Sequence, residues 1–235
     1  MFSTLSTLSS HGLRSVASDV LPLYFYSFNT GTTSGTTINT ATTSVNTHPL
    51  TASNVATIIS TGPTPKEGDR CFTSGNKLYN AMSTTHSIST ANGISVSFWY
   101  NILAAGTLNQ ICLGLGIGTT SKMYVFFNGA RDTVLVNTLG ANNILTVQSA
   151  NMTNGVWNHL AITWKASTIT LYLNGVAKTW STSVPTALPS ETWTSMALGK
   201  SVDNVLQGYS AMDMVRVYSS VLTAAQINTL YTTGL

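Results

Sequence analysis

An all-β domain followed by one short C-terminal helix is what this sequence predicts, and three observations carry the prediction. Ser, Thr and Asn do most of the work of keeping the surface polar, because charged residues make up only 7% of the 235, against roughly 25% in an average soluble domain. Three segments between residues 94 and 173 alternate with the two-residue period of a strand. An Asn174-Gly175 pair separates two apolar runs, where a two-residue hairpin needs positive φ at both positions.

The elements follow in order. Residues 1–20 are Ser-rich and lack a period, so they read as an extension or arm ahead of one domain spanning 21–235. Leu21 to Phe28 is an apolar, aromatic run of strand length. The Thr-, Ser- and Gly-rich stretch from Asn29 to Thr47 reads as long surface loops with edge strands anchored by Ile38 and Val45. After the Gly62-Pro63-Thr64-Pro65 turn signal the pattern becomes regular. Ile94, Val96, Phe98 and Tyr100 alternate with Ser95, Ser97 and Trp99, and Leu160, Ile162 and Trp164 with His159, Ala161 and Thr163. Ile169, Leu171 and Leu173 alternate in the same way with Thr168, Thr170 and Tyr172. Alternation at every second residue puts successive side chains on opposite faces, which a helix of ~3.6 residues per turn does not do. The last strand, Ala211 to Tyr218, sets Val215 and Val217 against Met214, Arg216 and Tyr218. Thr223 and Gln226 then have the spacing of a capping box, and Leu222 and Ile227 occupy the two positions of a hydrophobic staple. A helix of about two turns over Thr223 to Tyr231 is the expectation.

Composition narrows the function classes. Ten Lys and Arg against seven Asp and Glu leave a net charge of +3 with no basic stripe, which argues against nucleic acid as a partner. No run reaches the ~18 apolar residues of a membrane span, so membrane insertion is not expected. Met1 to Asp19 has no continuous apolar core of a secretory signal peptide. Cys71 and Cys112 are too few for a disulfide framework; two buried thiols in neighbouring strands, or one bridge between them, are both compatible with the sequence.

Five segments, in order, then carry a family resemblance. Tyr24-Phe25-Tyr26-Ser27-Phe28-Asn29 opens the series, and Ile94-Ser95-Val96-Ser97-Phe98-Trp99-Tyr100 carries a Phe-Trp pair near its end. Gly155-Val156-Trp157-Asn158-His159-Leu160-Ala161-Ile162-Thr163-Trp164 contains a W-x-H-hydrophobic-A pattern, followed by the hairpin Leu171-Tyr172-Leu173-Asn174-Gly175. The closing run is Gly208 to Tyr218 with Leu222 to Ile227. Together they resemble the laminin G-like branch of the concanavalin A-like lectin/glucanase superfamily over about residues 21 to 235. The resemblance implies a jelly-roll sandwich of two curved antiparallel sheets with the first and last strands adjacent. It leaves activity open, because the fold hosts enzymes, lectins and structural modules.

Hydrolysis of a sugar bond needs two positioned carboxyl groups, and enzymes of the superfamily typically draw them from a Glu-x-Asp-x-x-Glu-like strand. No such run is present. The acids are Asp19, Glu67, Asp69, Asp132, Glu191, Asp203 and Asp213, and the one pair with same-face spacing, Glu67 and Asp69, lies beside Pro65 and Gly68 in a turn context. The chain therefore reads as non-catalytic. His159 reads as a structural histidine, since no nucleophile motif accompanies it. His11, His48 and His86 lack metal-ligand spacing. The resemblance implies one candidate for a structural calcium ion: Asp213 matches the acidic residue of the terminal strand, and Asn29 stands where relatives commonly have Asp, a loss of charge that weakens a hard-cation site. The alternative for Asp213 is a carboxylate hydrogen-bonded to nearby backbone. No other cofactor is expected. Trp99, Trp157 and Trp164 fall at core positions. Trp180 and Trp193 flank the loop Ser181 to Thr192, and either exposure on a ligand- or partner-facing rim or partial burial under that loop fits them. The Asn151-Met152-Thr153 triplet matches a glycosylation acceptor that goes unused without export. The expectation is a structural protein that assembles with other subunits, a minor capsid, decoration or tail component located on a virion or another large assembly. The alternative is a glycan-binding lectin or adhesion module; a glycosidase has the least support.

Overall fold

The structure is a computed structural model, and it describes residues 20–26, 37–38, 50–52, 57–59, 71–73, 78–81, 88–102, 110–128, 134–138, 144–147, 155–180, 187–199, 201–203 and 210–234. The first nine strands are β1 Tyr24–Tyr26, β2 Thr37–Ile38, β3 Leu50–Ala52, β4 Thr57–Ile59, β5 Cys71–Thr73, β6 Leu78–Ala81, β7 Ile88–Ser89, β8 Ile94–Ile102 and β9 Gln110–Ile117. After them come β10 Thr120–Phe127, β11 Val134–Thr138, β12 Ile144–Val147, β13 Trp157–Lys165, β14 Thr168–Leu173, β15 Val176–Lys178, β16 Thr192–Trp193, β17 Ser195–Leu198, β18 Ser210–Tyr218 and the helix α1 Ala224–Thr233.

Two antiparallel sheets make the sandwich. Sheet A runs β15-β14-β13-β8-β18-β5-β4, with β1 also on β18; sheet B runs β12-β11-β10-β9-β17-β6-β3-β2. The pairing of Tyr24 with Val217 and of Tyr26 with Val215 places the first and last strands side by side, as expected. The apolar members of each alternating strand meet between the sheets: Val96, Phe98, Leu160, Ile162, Trp164 and Val217 from sheet A face Leu113, Leu115, Val125, Phe127, Val136 and Met196 from sheet B. Each large side chain buried there contributes about 1.5–3 kcal/mol. Thr37–Ile38 forms the outer edge of sheet B, in keeping with the expected edge strand at Ile38. Val45 and Asn29 lie outside the described residues.

The Asn174-Gly175 hairpin forms as its residues require. Leu173 pairs with Val176, and φ is 50° at Asn174 and 77° at Gly175, the two left-handed positions of a type I′ turn. Lys165 likewise pairs with Thr168, but the turn between them uses Ala166 at φ 47°. Cys71 and Cys112 are placed on β5 of sheet A and β9 of sheet B. The expectation of neighbouring strands is thereby corrected, because between β5 and β9 the chain passes to sheet B in β6, back to sheet A in β8 and again to sheet B.

The helix begins where its caps dictate. Gln226 N–H donates to Thr223 Oγ1 (3.3 Å) and Thr223 N–H donates to Gln226 Oε1 (2.8 Å), a complete capping box. Leu222 and Ile227, the staple pair, are buried in one cluster with Leu230, Ala161, Tyr172 and Tyr218. The helix therefore lies on the outer face of sheet A. It runs to Thr233, two residues past the expected end, and stops at Gly234, whose φ of 73° gives the left-handed C-cap.

Candidate functional site

The outer face of sheet A looks polar in sequence and is closed in structure. All nine residues of β8 are buried, Ser95, Ser97 and Trp99 included. Ser95 Oγ donates to Ser220 O (2.8 Å) and accepts from Leu222 N–H (2.9 Å), fixing the chain where it turns into the helix. His159 is fully buried; its Nε2 lies 2.8 Å from Ser97 Oγ and its ring is flanked by Trp99 and Tyr231. Tyr231 stacks on Trp99 at 5.8 Å and 24°. Arg216 donates to Gly234 O (2.7 Å) and sets its guanidinium 4.2 Å from the centre of the Phe25 ring. These contacts bind the helix to the sheet and give His159 the structural role its sequence context suggests.

Asp213 is in the same layer with no measurable exposure. Between Asp213 and Arg216 the β18–β8 register slips, and Met214 takes φ 49°, so the strand carries a bulge. Asp213 Oδ1 accepts the Met214 N–H at 2.7 Å, which supports that strained residue. The carboxylate thus makes the backbone hydrogen bond that was the alternative to metal ligation. Its expected calcium partner, Asn29, is outside the described residues. Among the described residues no group of three or more His, Cys, Asp or Glu side chains could hold a metal ion.

Sheet B presents a different exterior. Strand register puts Ala197, Gly114, Tyr124 and Asn137 in one row across β17, β9, β10 and β11. Their neighbours Met196, Leu198, Leu113, Leu115, Met123, Val125 and Val136 belong to the inner core, so this row faces outward. Asn137 is buried and donates through Nδ2 to the Tyr124 hydroxyl at 2.8 Å. The half-buried Tyr124 ring meets Phe126 at 5.5 Å. One row further along, a Cβ on Gly116 would press on the Thr120 carbonyl and come within 2.7 Å of Val202 Cγ2. Glycine there lets the segment 201–203 fold onto the sheet. Val202 and Ser201 are buried, Asp203 is exposed, and Ser201 Oγ hydrogen-bonds Asp203 Oδ1. The Tyr124 hydroxyl is held above its ordinary pKa of 10.0, mainly by burial and secondarily by the Asp203 charge, with the Asn137 hydrogen bond acting the other way.

This aromatic ring, fixed amide and exposed carboxylate form a group that can bind a polyol: the ring packs an apolar C–H face, and the carboxylate accepts hydroxyl protons. None of these side chains stands out in the sequence, because strand register and the fold of residues 201–203 bring them together.

Of the two tryptophans for which a ligand rim and burial under the loop both fitted the sequence, one is fully buried and the other half-buried. Trp193 is fully buried, with its ring 6.1 Å from that of Trp164 and Nε1 donating to Glu191 Oε1 at 2.8 Å. Pairing of β16 with β7 through Trp193 and Ile88 turns the ring inward, which corrects the rim reading for this residue. Trp180 is half-buried, packs against the main core and donates through Nε1 to Ile169 O at 2.8 Å. Glu191 also pairs with Lys122 at 3.2 Å, a largely surface contact of at most about 1 kcal/mol. Glu67 and Asp69 lie outside the described residues, as does the Asn151 acceptor triplet.

Solved structures share this architecture. The botulinum neurotoxin serotype D binding domain superposes with a TM-score of 0.65 at 14% identity, over 89% of this chain and 51% of that one. The receptor binding domain of botulinum neurotoxin mosaic serotype C/D gives 0.64 at 14% identity, over 89% and 50%. Trypanosoma rangeli sialidase, in complex with a difluoro-KDN, gives 0.60 at 13% identity, over 89% and 32%. This chain therefore spans about half of each toxin domain and about a third of the sialidase, and at these identities the likeness is one of fold. Comparison of the sequence with curated proteins finds no match. Residues 74–228 match the family model of the concanavalin A-like lectin/glucanases superfamily, and with the sandwich seen here the chain belongs to that family.

Proposed function

We propose that this protein is a glycan-binding module, a lectin or adhesion domain, whose site is the outer face of sheet B around Tyr124, Asn137 and Asp203. The observation that carries the reading is a half-buried aromatic ring on the outer row of sheet B, its hydroxyl fixed by a buried amide, with an exposed carboxylate on the segment seated over nearby Gly116. Receptor-binding toxin domains among the fold neighbours support a binding role. That likeness favours it over assembly into a virion, the role that the charge-poor composition and the N-terminal segment suggested. Binding is also favoured over hydrolysis by how the described carboxylates are used. Glu191 holds Lys122 and Trp193, and Asp213 supports a backbone bulge.

The test is a glycan array followed by titration of the hits with Tyr124→Ala. Loss of the ring should weaken binding at least tenfold, the equivalent of about 1.4 kcal/mol, while the circular dichroism spectrum is unchanged. Hits that bind the variant as tightly as the parent would overturn this assignment.

A further inference from the structure

We infer that Asn174 is a latent site of spontaneous deamidation, held shut in the native fold by bonds that tie its carboxamide to β13 and opened when the β14–β15 hairpin lifts from that strand. The chemistry starts from the sequence. Gly175 follows Asn174, and with no Cβ its amide nitrogen meets little steric resistance on approaching the Asn174 side chain. Deprotonated by hydroxide, that nitrogen attacks Asn174 Cγ. An N–Cγ bond forms, the Cγ–Nδ2 bond breaks, and Nδ2 leaves as ammonia after taking a proton from water. Water then adds to either carbonyl of the cyclic imide and opens it to aspartate or isoaspartate.

The native geometry opposes the first of these steps in two ways. Attack requires the carboxamide to swing toward the Gly175 nitrogen, yet both of its ends are engaged. Asn174 Oδ1 accepts the His159 N–H at 2.8 Å, and Nδ2 donates to Asn158 Oδ1 at 2.9 Å. Asn158 is itself buried and fixed, its Nδ2 donating to Val156 O at 3.2 Å. The Asn174 N–H also donates to His159 O at 2.8 Å, so main chain and side chain are pinned to the same two residues of β13. The turn, moreover, has no room to move. A Cβ on Gly175 would come within 2.9 Å of Tyr231 Cδ1 and 3.0 Å of Asn228 Oδ1, so α1 packs directly against it, and Tyr231 is held in turn by its stack on Trp99. Reaction therefore needs a local opening that breaks these bonds and parts the hairpin from the helix. Asn158 is the guard that a substitution can remove, because the other partner is the main chain of His159.

Ageing the full chain in mildly alkaline buffer, followed by trypsin and mass spectrometry, puts this to the test. Cleavage after Lys165 and Lys178 releases Ala166 to Lys178, in which Asn174 is the sole Asn or Gln, so an amide-to-acid mass gain in that peptide reports this site alone. Conversion should be at least about tenfold slower in the folded chain than in the chain unfolded in guanidinium chloride. Asn158→Ala, which removes the acceptor for Nδ2, should speed it about three- to tenfold in the folded state, the worth of one hydrogen bond, whereas Asn158→Asp keeps an oxygen there and should stay within about twofold of the parent. Equal rates in the folded and unfolded parent would overturn the protection, and that comparison stands even where Asn158→Ala does not fold. A folded Asn158→Ala no faster than the parent would overturn the guarding role of Asn158. Equal acceleration in Asn158→Asp and Asn158→Ala would do the same, since the retained oxygen would then make no difference.

Discussion

On the outside of sheet A, Ser97, Trp99, His159, Asp213 and Arg216 are all buried under or beside α1, whereas on the outside of sheet B Tyr124 is only half-buried and Asp203 is exposed. Both sheets share one core, so the difference lies in what each does with its second face. Sheet A uses polar side chains as internal fasteners, some joined to each other or to their own strand, as Ser97 to His159 and Asp213 to Met214, and others to the helix and its flanks. Sheet B carries a glycine, Gly116, and Val202 of a short segment is seated over it. Polar residues on a strand are therefore a poor guide to where a ligand binds in this fold. The covering elements decide it.

The largest effect that would break this contrast is removal of the cover. Ile227 is fully buried between α1 and sheet A, and Ile227→Asp puts a charge there, at a cost of about 4 kcal/mol. Asp203→Ala on the open side should change stability by no more than about 0.5 kcal/mol. Urea denaturation of the two variants checks this; comparable losses would mean that the two faces are equally structural.

A smaller effect separates ligation from support at Asp213. Asp213→Ala removes the acceptor for the Met214 N–H at a left-handed residue and should cost about 2 kcal/mol in thermal unfolding, with calcium or with chelator alike. A calcium-dependent rise in melting temperature present in the parent and absent in the variant would instead make Asp213 a metal ligand.

Which parts of this arrangement were legible beforehand depends on the range of the forces involved. Thr223, Gln226 and the Asn174-Gly175 pair act over three residues or fewer, so the helix start and the hairpin could be read from the chain directly. The alternation of Ile94 to Tyr100 located β8 correctly, but it could not show that Ser95 and Ser97 are buried, because their partners lie far along the chain, Ser220 and Leu222 for Ser95 and His159 for Ser97. The Ala166 turn was invisible for lack of a glycine or asparagine. Trp193 was left open between rim and interior because its Pro-containing flank resembles a surface loop, while its pairing with Ile88 depends on a strand about a hundred residues earlier. Tyr124, Asn137 and Asp203 are ordinary residues individually. Their meeting depends on the β10–β11 register and on the space above Gly116.

Alkaline titration sharpens the comparison further, with a smaller effect. Tyr24, buried between the sheets, has its hydroxyl pKa pushed up to about 12 by burial. Burial also raises Tyr218 under the helix, against the opposing charge of Arg216, and Tyr124 is raised on the open face. A phenol whose pKa is higher folded than unfolded keeps its proton longer in the native state, so stability is at its full value below about pH 10 and falls as pH rises through 12. For Tyr24 the loss is on the order of 1 kcal/mol at about pH 11. Tyr24→Phe should flatten the alkaline limb of a stability-against-pH curve by that amount, and Tyr124→Phe should flatten it less, because the open face desolvates its phenol incompletely and Asn137 favours the ionised form. If Tyr124→Phe flattened the curve as much as Tyr24→Phe, the outside of sheet B would be as closed as the interior, and the site proposed there would have no access for a ligand.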